Sequence, residues 1–376
     1  MQTEILNCPT GQFSLVRPGT PKNTSLRAWD AADEYLINYT DSHFSHCPLA
    51  IFNDSFGALG VALHQQANIW VSDSFCAKQA LEINQQTNQI ASSTQIHGPL
   101  SLPEDMPNLC LYKIPKNTSF MEYQLSQLAQ RSHQQQKPTT VLLSGMMKHL
   151  PKTLLDILAK YGEPTRLPFV KKAMLVVLQI GIDKPGSTSP YPTTAKFNGT
   201  HIQGHANVFG RSKLDQGTQL LLQHRDKLPE ASNVADLCCG TGIIGLHYAQ
   251  RTPSAHVDFY DESYSAVECV KRGIELNGLT SSYSCFWGDG LASADSQQYE
   301  LILCNPPFHE LHAVSDHIAW RLFKDAKRCL KLGGDFIIVG NRHLGYHTRM
   351  KKLFGNVHTI ASNAKFVVLR SKVEAK

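Results

Sequence analysis

Strand and helix signals that alternate twice along the chain predict an α/β protein of two tandem doubly wound, mostly parallel sheets, each of the seven-stranded type. Three observations carry this. Short buried apolar runs alternate with helical apolar spacing through the C-terminal half. A glycine turn, Gly240-Thr-Gly-Ile-Ile-Gly, joins the first of those runs to a helix. The N-terminal half repeats the order with that turn eroded, which makes it the degenerate copy. The length, 376 residues with 42% hydrophobic and 18% charged, suits two domains of ordinary globular composition.

In the C-terminal half NVADLCC (233–239) reads as a buried strand, and the helix after the glycine turn runs to Ala249. AHVDFYDES (255–263) is the second strand, followed by a helix over 266–277. YSCFWGDG (283–290) and LILC (301–304) are the third and fourth strands. An amphipathic helix over 318–330, a fifth strand DFIIVGN (335–341), a helix over 346–354 and a hairpin of VHTIAS and KFVVLR complete the half. Parallel neighbours need crossover connections, which these helices supply.

The N-terminal half follows the same plan. AIFNDSFGALGVAL (50–63) lies over VADLCCGTGIIGLH (234–247), with Gly57 and Gly60 against Gly242 and Gly245. IWVSDS (69–74) matches the second strand and sets Asp73 opposite Asp261, and CLYKIPK (110–116) matches LCNPPF. In each copy a glycine (Gly162, Gly355) follows a helix, and ten residues later a lysine (Lys172, Lys365) opens an apolar strand. The copies part where chemistry would sit. Ser55 replaces Gly240, and Lys113-Ile-Pro-Lys116 replaces Asn305-Pro-Pro-Phe. Residues 1–183 are therefore expected to be a copy retained for binding or support. The stretch 184–199, rich in Pro, Ser, Thr and Gly, is expected to be a linker, and 200–376 the catalytic domain. Within it THIQGHANVF (200–209) reads as a short hairpin and LDQGTQLLLQHRDKL (214–228) as a helix.

Composition excludes several classes. No apolar run approaches a membrane span, and the first residues lack a basic start followed by an apolar stretch, so a cytoplasmic protein is expected. The ten cysteines form no CxxC pair, and the adjacent Cys238 and Cys239 suit neither a zinc knuckle nor a redox dithiol. His201 and His205 flank Gly204 in an extended stretch, so no metal is expected. The net charge of +5 is uneven: from Glu300 onward 13 Lys and Arg face 6 Asp and Glu. That balance hints at a phosphate-bearing partner. The oligomeric state is left open, a monomer among the options.

The glycine turn, in strand-to-helix context and with Asp261 at the end of the next strand, is the pattern of a nucleotide pocket. Taken alone it suggests an NAD oxidoreductase. Two residues pull away from NAD. Asp236, just before the glycines, would repel a pyrophosphate but could hold an ammonium, directly or through water. Asp289 in WGDG is placed to accept from an adenine amino group, although Asp-Gly is also a common turn pair. Acid, glycines, acid, acid and then Asn305-Pro-Pro-Phe fit S-adenosylmethionine better.

DLCCGTG, the acid of FYDES and CNPPF together resemble the class I adenosylmethionine-dependent methyltransferases that act on amines. AWDAADEYL, NDSFGAL, HANVFGR, CNPPFHE, AWRLFKDAKRCLK, NRHLGY and NAKFVVLR extend the resemblance over nearly the whole chain, to the ribosomal RNA guanine-N2 methyltransferases. Two departures are mild: Cys238-Cys239 stand where small or glycine residues are common, and Thr241 where Asn is common. The resemblance implies Rossmann-like methyltransferase domains, S-adenosyl-L-methionine as cofactor, ribosomal RNA as partner and N2-methylguanosine as product. It implies guanine 1835 of 23S RNA as the target, with 16S RNA as the alternative. A protein glutamine N-methyltransferase is a second alternative, because related motifs serve that amide.

The expected cofactor-binding residues are Asp236, Cys238, Gly240, Gly242, Asp261, Asp289 and Phe209. The expected catalytic residues are Asn305, Pro306, Pro307 and Phe308. An exocyclic guanine amine is a poor nucleophile because its lone pair is delocalised into the ring. The Asn305 oxygen and the Pro306 carbonyl could each accept one of its hydrogens, the prolines stiffening the loop and Phe308 offering a stacking face. The amine becomes acidic once methylated, so no strong base is required, and His309 is only a candidate for taking the proton. Phe209, Asp215 and Thr218 fall in a segment that the resemblance packs over the cofactor. Lys113 and Lys116 are the expected RNA contacts of the first copy.

Overall fold

A computed structural model of the chain describes residues 3–19, 25–91, 93–183, 189–307 and 312–375, and it divides into two units, Met1–Tyr191 and Pro192–Lys376. Unit one opens with a hairpin, β1 (Thr3–Cys8) and β2 (Gly11–Val16), then a helix, α1 (Ala31–Phe44). There follow β3 (Leu49–Phe52), α2 (Ala58–Ala62), β4 (Ala67–Val71), α3 (Phe75–Thr87), β5 (Gln95–His97), β6 (Leu109–Lys113), α4 (Thr118–Gln135), β7 (Thr139–Met146), α5 (Leu154–Leu158), β8 (Glu163–Arg166) and β9 (Ala173–Ile180). The seven-stranded sheet has the order β5-β4-β3-β6-β7-β9-β8, and only β9 runs antiparallel to its neighbours.

Unit two repeats this. Its hairpin is β10 (Thr193–Phe197) and β11 (Thr200–Gly204), and its first helix is α6 (Gln216–Gln223). Then come β12 (Asn233–Leu237), α7 (Ile243–Arg251), β13 (His256–Asp261), α8 (Tyr264–Leu276), β14 (Tyr283–Trp287), β15 (Tyr299–Cys304), α9 (His312–Cys329), β16 (Leu330–Asn341), α10 (Tyr346–Phe354), β17 (His358–Ser362) and β18 (Phe366–Lys372). The sheet order, β14-β13-β12-β15-β16-β18-β17, is that of unit one, with β18 the antiparallel strand.

The strands read as apolar runs because both faces of each sheet are covered. Along β15 Leu301 and Leu303 enter one core cluster while Ile302 and Cys304 enter another. Val234 and Leu237 of β12 divide the same way. In unit one Leu49 and Ile51 of β3 face one cluster, Ala50 and Phe52 the other. Strand periodicity thus builds two apolar layers per sheet.

The duplication extends to single hydrogen bonds. Asn88, just after α3, exchanges two bonds at 2.8 Å with the backbone of Ser14 in β2. Asn277, just after α8, does the same with His201 of β11, at 2.8 and 2.7 Å. Both hairpins are pinned by an asparagine at the same place. This corrects two expectations. Residues 193–197, read as part of a linker, are strand β10, and β11 pairs with it rather than with the residues that follow. Thr, Lys and Phe in a Pro- and Gly-rich stretch hid a short strand pair that this asparagine ties to the end of α8 and whose Ala195, Phe197 and Ile202 pack on the core. The match of Asp73 with Asp261 is also displaced by one. Ser72 Oγ accepts from Ser74 N at 3.1 Å as Asp261 Oδ1 accepts from Ser263 N at 2.9 Å, and each second serine caps its helix.

Lys113, expected to meet RNA, is held inside unit one. Its ammonium lies 2.8 Å from Asp30 Oδ1 and 2.9 Å from Asp33 Oδ1, and only 13% of its side chain is exposed. The loss of an asparagine pin leaves two backbone groups unsatisfied, at about 1–3 kcal/mol. Asn277→Ala is expected to lower unfolding stability by that amount and to speed amide exchange in β11 before the rest of unit two, as read by hydrogen exchange.

Candidate active site

The glycine turn depends on three left-handed residues, Cys238 (φ 60°), Gly240 (φ 55°) and Gly242 (φ 76°). Gly242 has a second constraint: a Cβ there would lie 2.7 Å from Val270 Cγ2 of α8. Unit one repeats the pair, with Gly57 at φ 79° and its Cβ position 2.6 Å from Leu81 Cα of α3. Close helix packing, as well as the turn, therefore requires glycine. Gly245, in the first turn of α7, would place a Cβ 2.4 Å from Phe259 and 2.9 Å from Asp236 Oδ2.

Asp236 is fully buried, and its Oδ2 accepts from Gly245 N at 2.8 Å, satisfying a free N–H of the helix start. Through that bond Asp236 braces α7, a role the sequence reading did not give it. Its Oδ1 has no partner among the described residues. Unit one performs the same task from a different position, where the buried Asp54 accepts from Gly57 N and Gly60 N, both at 3.0 Å.

Asp261 remains half-buried at the end of β13. Its Oδ2 accepts from Gly240 N at 2.8 Å, which ties the glycine turn to the neighbouring strand end. The segment before α6 lies over this turn, since a Cβ on Gly240 would stand 3.4 Å from the Phe209 carbonyl oxygen. Phe209 is 62% exposed, and its backbone carbonyl is what stands near the turn. Cys238 sits at the carboxyl end of β12 with its thiol hydrogen-bonded to Cys304 of β15, and that bond, together with burial, pushes the thiol well above its ordinary value. Asp289 is not a free acceptor. Both its oxygens meet the Arg321 guanidinium of α9 in a two-pronged pair, so an adenine amine there would have to use the remaining lone pairs.

At the end of β15 the Asn305 amide nitrogen donates to Thr218 Oγ1 at 2.9 Å and to Asp215 Oδ2 at 3.2 Å. Its Oδ1 is buried and has no partner among the described residues. Asp215 is also the cap of α6, its Oδ1 accepting from Gly217 N at 2.9 Å and Thr218 N at 3.1 Å. Pro306 is buried and Pro307 exposed, while Phe308 and His309 lie outside the described residues. Leu237 and Cys304 are register partners on the adjacent strands β12 and β15. The glycine turn, Asp261 and Asn305 therefore converge at the carboxyl edge of the sheet, where the strand order changes direction. Open α/β sheets bind ligands at such an edge.

Sequence reading missed the tie between Asn305 and α6. The signal was an offset. Asp215 and Thr218 lie 185 positions after Asp30 and Asp33, as Gly242 does after Gly57. In unit one Lys113 takes the place of Asn305 and bonds to the corresponding pair, Asp30 and Asp33.

Burial raises the Asp236 carboxyl to about 7, the Gly245 N–H opposing and the Asp261 charge adding. The folded chain keeps a proton there that the unfolded chain, at 3.8, has released. That contribution to stability is complete below about pH 4 and is lost as the pH rises through about 7. Asp236→Asn removes this titration. The fall in unfolding midpoint across that window is expected to flatten, while cofactor affinity stays within about threefold of the parent, since Asn keeps an oxygen for Gly245 N. Denaturant titrations at several pH values and calorimetry with S-adenosylmethionine check both.

Residues 199–370 match the methyltransferase small domain family, and residues 3–181 match the RLMG N-terminal domain family. A protein named ribosomal RNA large subunit methyltransferase G from Pseudoalteromonas translucida is 39% identical over 95% of each chain. One of the same name from Stutzerimonas stutzeri is 39% identical over 98% of this chain and 99% of its own. Among solved structures, a T. thermophilus 16S rRNA N2 G1207 methyltransferase (RsmC), in complex with AdoMet and guanosine, aligns over 99% of this chain and 98% of its own with a TM-score of 0.75 at 19% identity. Two matched domains and full-length relatives at this identity place the chain in the ribosomal RNA large subunit methyltransferase G family.

Proposed function

We propose that the chain transfers a methyl group from S-adenosyl-L-methionine to the exocyclic N2 amine of a guanine in large-subunit ribosomal RNA, guanine 1835 of 23S RNA, giving N2-methylguanosine. One observation carries the reading: at the carboxyl edge of β15 an amide oxygen, Asn305 Oδ1, is buried with no partner among the described residues while its own nitrogen is held twice. An acceptor in that state is costly unless something donates to it, and an aromatic amine is a fitting donor. The names of the full-length relatives support ribosomal RNA of the large subunit, and the T. thermophilus neighbour's complex supports the cofactor and the N2 position.

The residues present fit the cofactor. Gly240 leaves the space in front of its backbone open, with only the Phe209 carbonyl near among the described residues. Asp261, half-buried at the end of β13, accepts from Gly240 N and Ser263 N and stands where a ribose diol would meet a carboxylate. When bound, S-adenosylmethionine supplies an electrophilic methyl group on a sulfonium. Asn305 Oδ1 accepts one N2 hydrogen, which holds the amine and favours a pyramidal nitrogen with its lone pair directed at the carbon. The Pro306 carbonyl accepts the other. As the N–C bond forms and the C–S bond breaks, the amine becomes acidic and releases its proton to water, and positioning supplies much of the acceleration.

Unit one serves RNA binding through its exposed cations. Lys148, Lys152, Arg166 and Lys172 are exposed and have no acidic partner among the described residues, whereas Lys113 is enclosed. Met147 N donates to Lys172 O at 3.0 Å, which joins the turn after β7 to the turn between β8 and β9. There Phe169 is 45% exposed with the Arg166 guanidinium 5.5 Å over its ring, a face suited to a base.

Ribosomal RNA lacking the modification, incubated with tritiated S-adenosylmethionine and mapped, is expected to carry the label at that guanine on N2. Asn305→Ala is expected to lower turnover about 100-fold or more with cofactor affinity kept; unchanged turnover would refute the role of the amide. The double reversal Lys148→Glu, Lys172→Glu is expected to weaken RNA binding about tenfold at low salt and to reduce the salt slope, read by filter binding.

A further inference from the structure

We propose that Asp215 and Thr218 are positioning residues that fix which way the Asn305 amide faces, so that its oxygen rather than its nitrogen meets the amine. This rests on the role given to Asn305 above and names the groups that set it. The two ends of an amide have nearly the same shape, and only hydrogen-bond partners distinguish them. Turned the other way, Asn305 would oppose an NH2 to an NH2, donor against donor. Two acceptors select the orientation seen. Thr218 Oγ1 takes one N–H at 2.9 Å and Asp215 Oδ2 the other at 3.2 Å, and Oδ1 is the end left over. Asp215 is acceptor-only when ionised, so it is the stronger arbiter. Thr218 is 3% exposed, so it acts on a substrate through Asn305.

A plain staple between loop and helix needs no particular polarity, and unit one shows what such a staple looks like. At the corresponding positions Lys113 reaches Asp30 at 2.8 Å and Asp33 at 2.9 Å. An ammonium has no acceptor to present on its far side. Both units keep an aspartate as the cap of the first helix, Asp30 and Asp215. Only the unit with the intact glycine turn joins that cap to a threonine and an amide.

The test uses the full-length protein, protein-free ribosomal RNA lacking the modification, and tritiated S-adenosylmethionine. Thr218→Val keeps the shape and removes the acceptor, and Thr218→Ser returns it. Asp215→Asn keeps an oxygen for the helix cap and sets a donor against Asn305. The expected result is a fall in kcat of about 10- to 100-fold for Thr218→Val and Asp215→Asn, with KM for RNA and cofactor Kd within about threefold, and recovery in Thr218→Ser. Melting temperatures and circular dichroism accompany each rate, and Asp215→Asn reads the same polarity should the valine variant fold poorly. Parental turnover in both Thr218→Val and Asp215→Asn overturns the inference. So does a loss confined to cofactor affinity, or one that tracks melting temperature. If Asn305→Ala also turns over at the parental rate, the reading of Asn305 fails; if only Asn305→Ala is inactive, the inference about Asp215 and Thr218 fails alone.

Discussion

A single carboxylate joins the two parts of the site. Asp215 Oδ1 closes the start of α6 through Gly217 N and Thr218 N, and Oδ2 holds the Asn305 amide at the end of β15. The helix fixes the carboxylate, the carboxylate fixes the amide, and the amide oxygen is left with an unused lone pair in a buried place. Gly240, held by Asp261 from the next strand, stands at the end of the adjoining strand β12. The proposed chemistry thus depends on a side-chain amide and a glycine turn that the sheet order places side by side.

The two units share one sheet order but differ at the site. Helix packing against Gly57 and Gly242, the buried acids on the N–H groups of the following helix, and the asparagine pins on the hairpins are common to both. These are contributions to stability, and selection for folding alone would keep them. What changed is polarity. Lysine in place of the amide requires charge compensation, and Asp33 stands where unit two has Thr218. Burial pushes the Asp33 carboxyl up to about 7, with the Lys113 charge opposing, so the triad is an enclosed network in which removal of one partner leaves a charge unpaired. Such a unit remains folded and gives up the acceptor.

Much of this was legible in the sequence. The alternation of strands and helices, the glycine turn and the duplicated order all follow from periodicity and from the few residues that tolerate a left-handed backbone. The residues at the strand ends were harder. Asp236 looks like a ligand because it precedes the glycines, and its role as a brace beneath α7, where its exposure is nil, carried no signal. Asp289 looks like a free acid because its partner Arg321 is distant in the chain. The hairpin strand β10 was hidden because what holds the hairpin, the Asn277 tie to β11 and the core beneath Ala195 and Phe197, comes from far along the chain. The Asn305 tie was readable only by carrying the repeat offset upstream to Asp30 and Asp215. For Asp289, the hairpin and Asn305 a hydrogen bond between residues distant in the chain decided the outcome, and local propensity carried no signal of it.

The most direct measurement is a crystal structure of the protein with S-adenosylhomocysteine and guanosine. The expected result is a guanine whose N2 lies within about 3 Å of Asn305 Oδ1, with the amide nitrogen still on Thr218 and Asp215 and the sulfur on the far side of N2. A guanine bound elsewhere, or an Asn305 amide whose nitrogen faces N2, would contradict it.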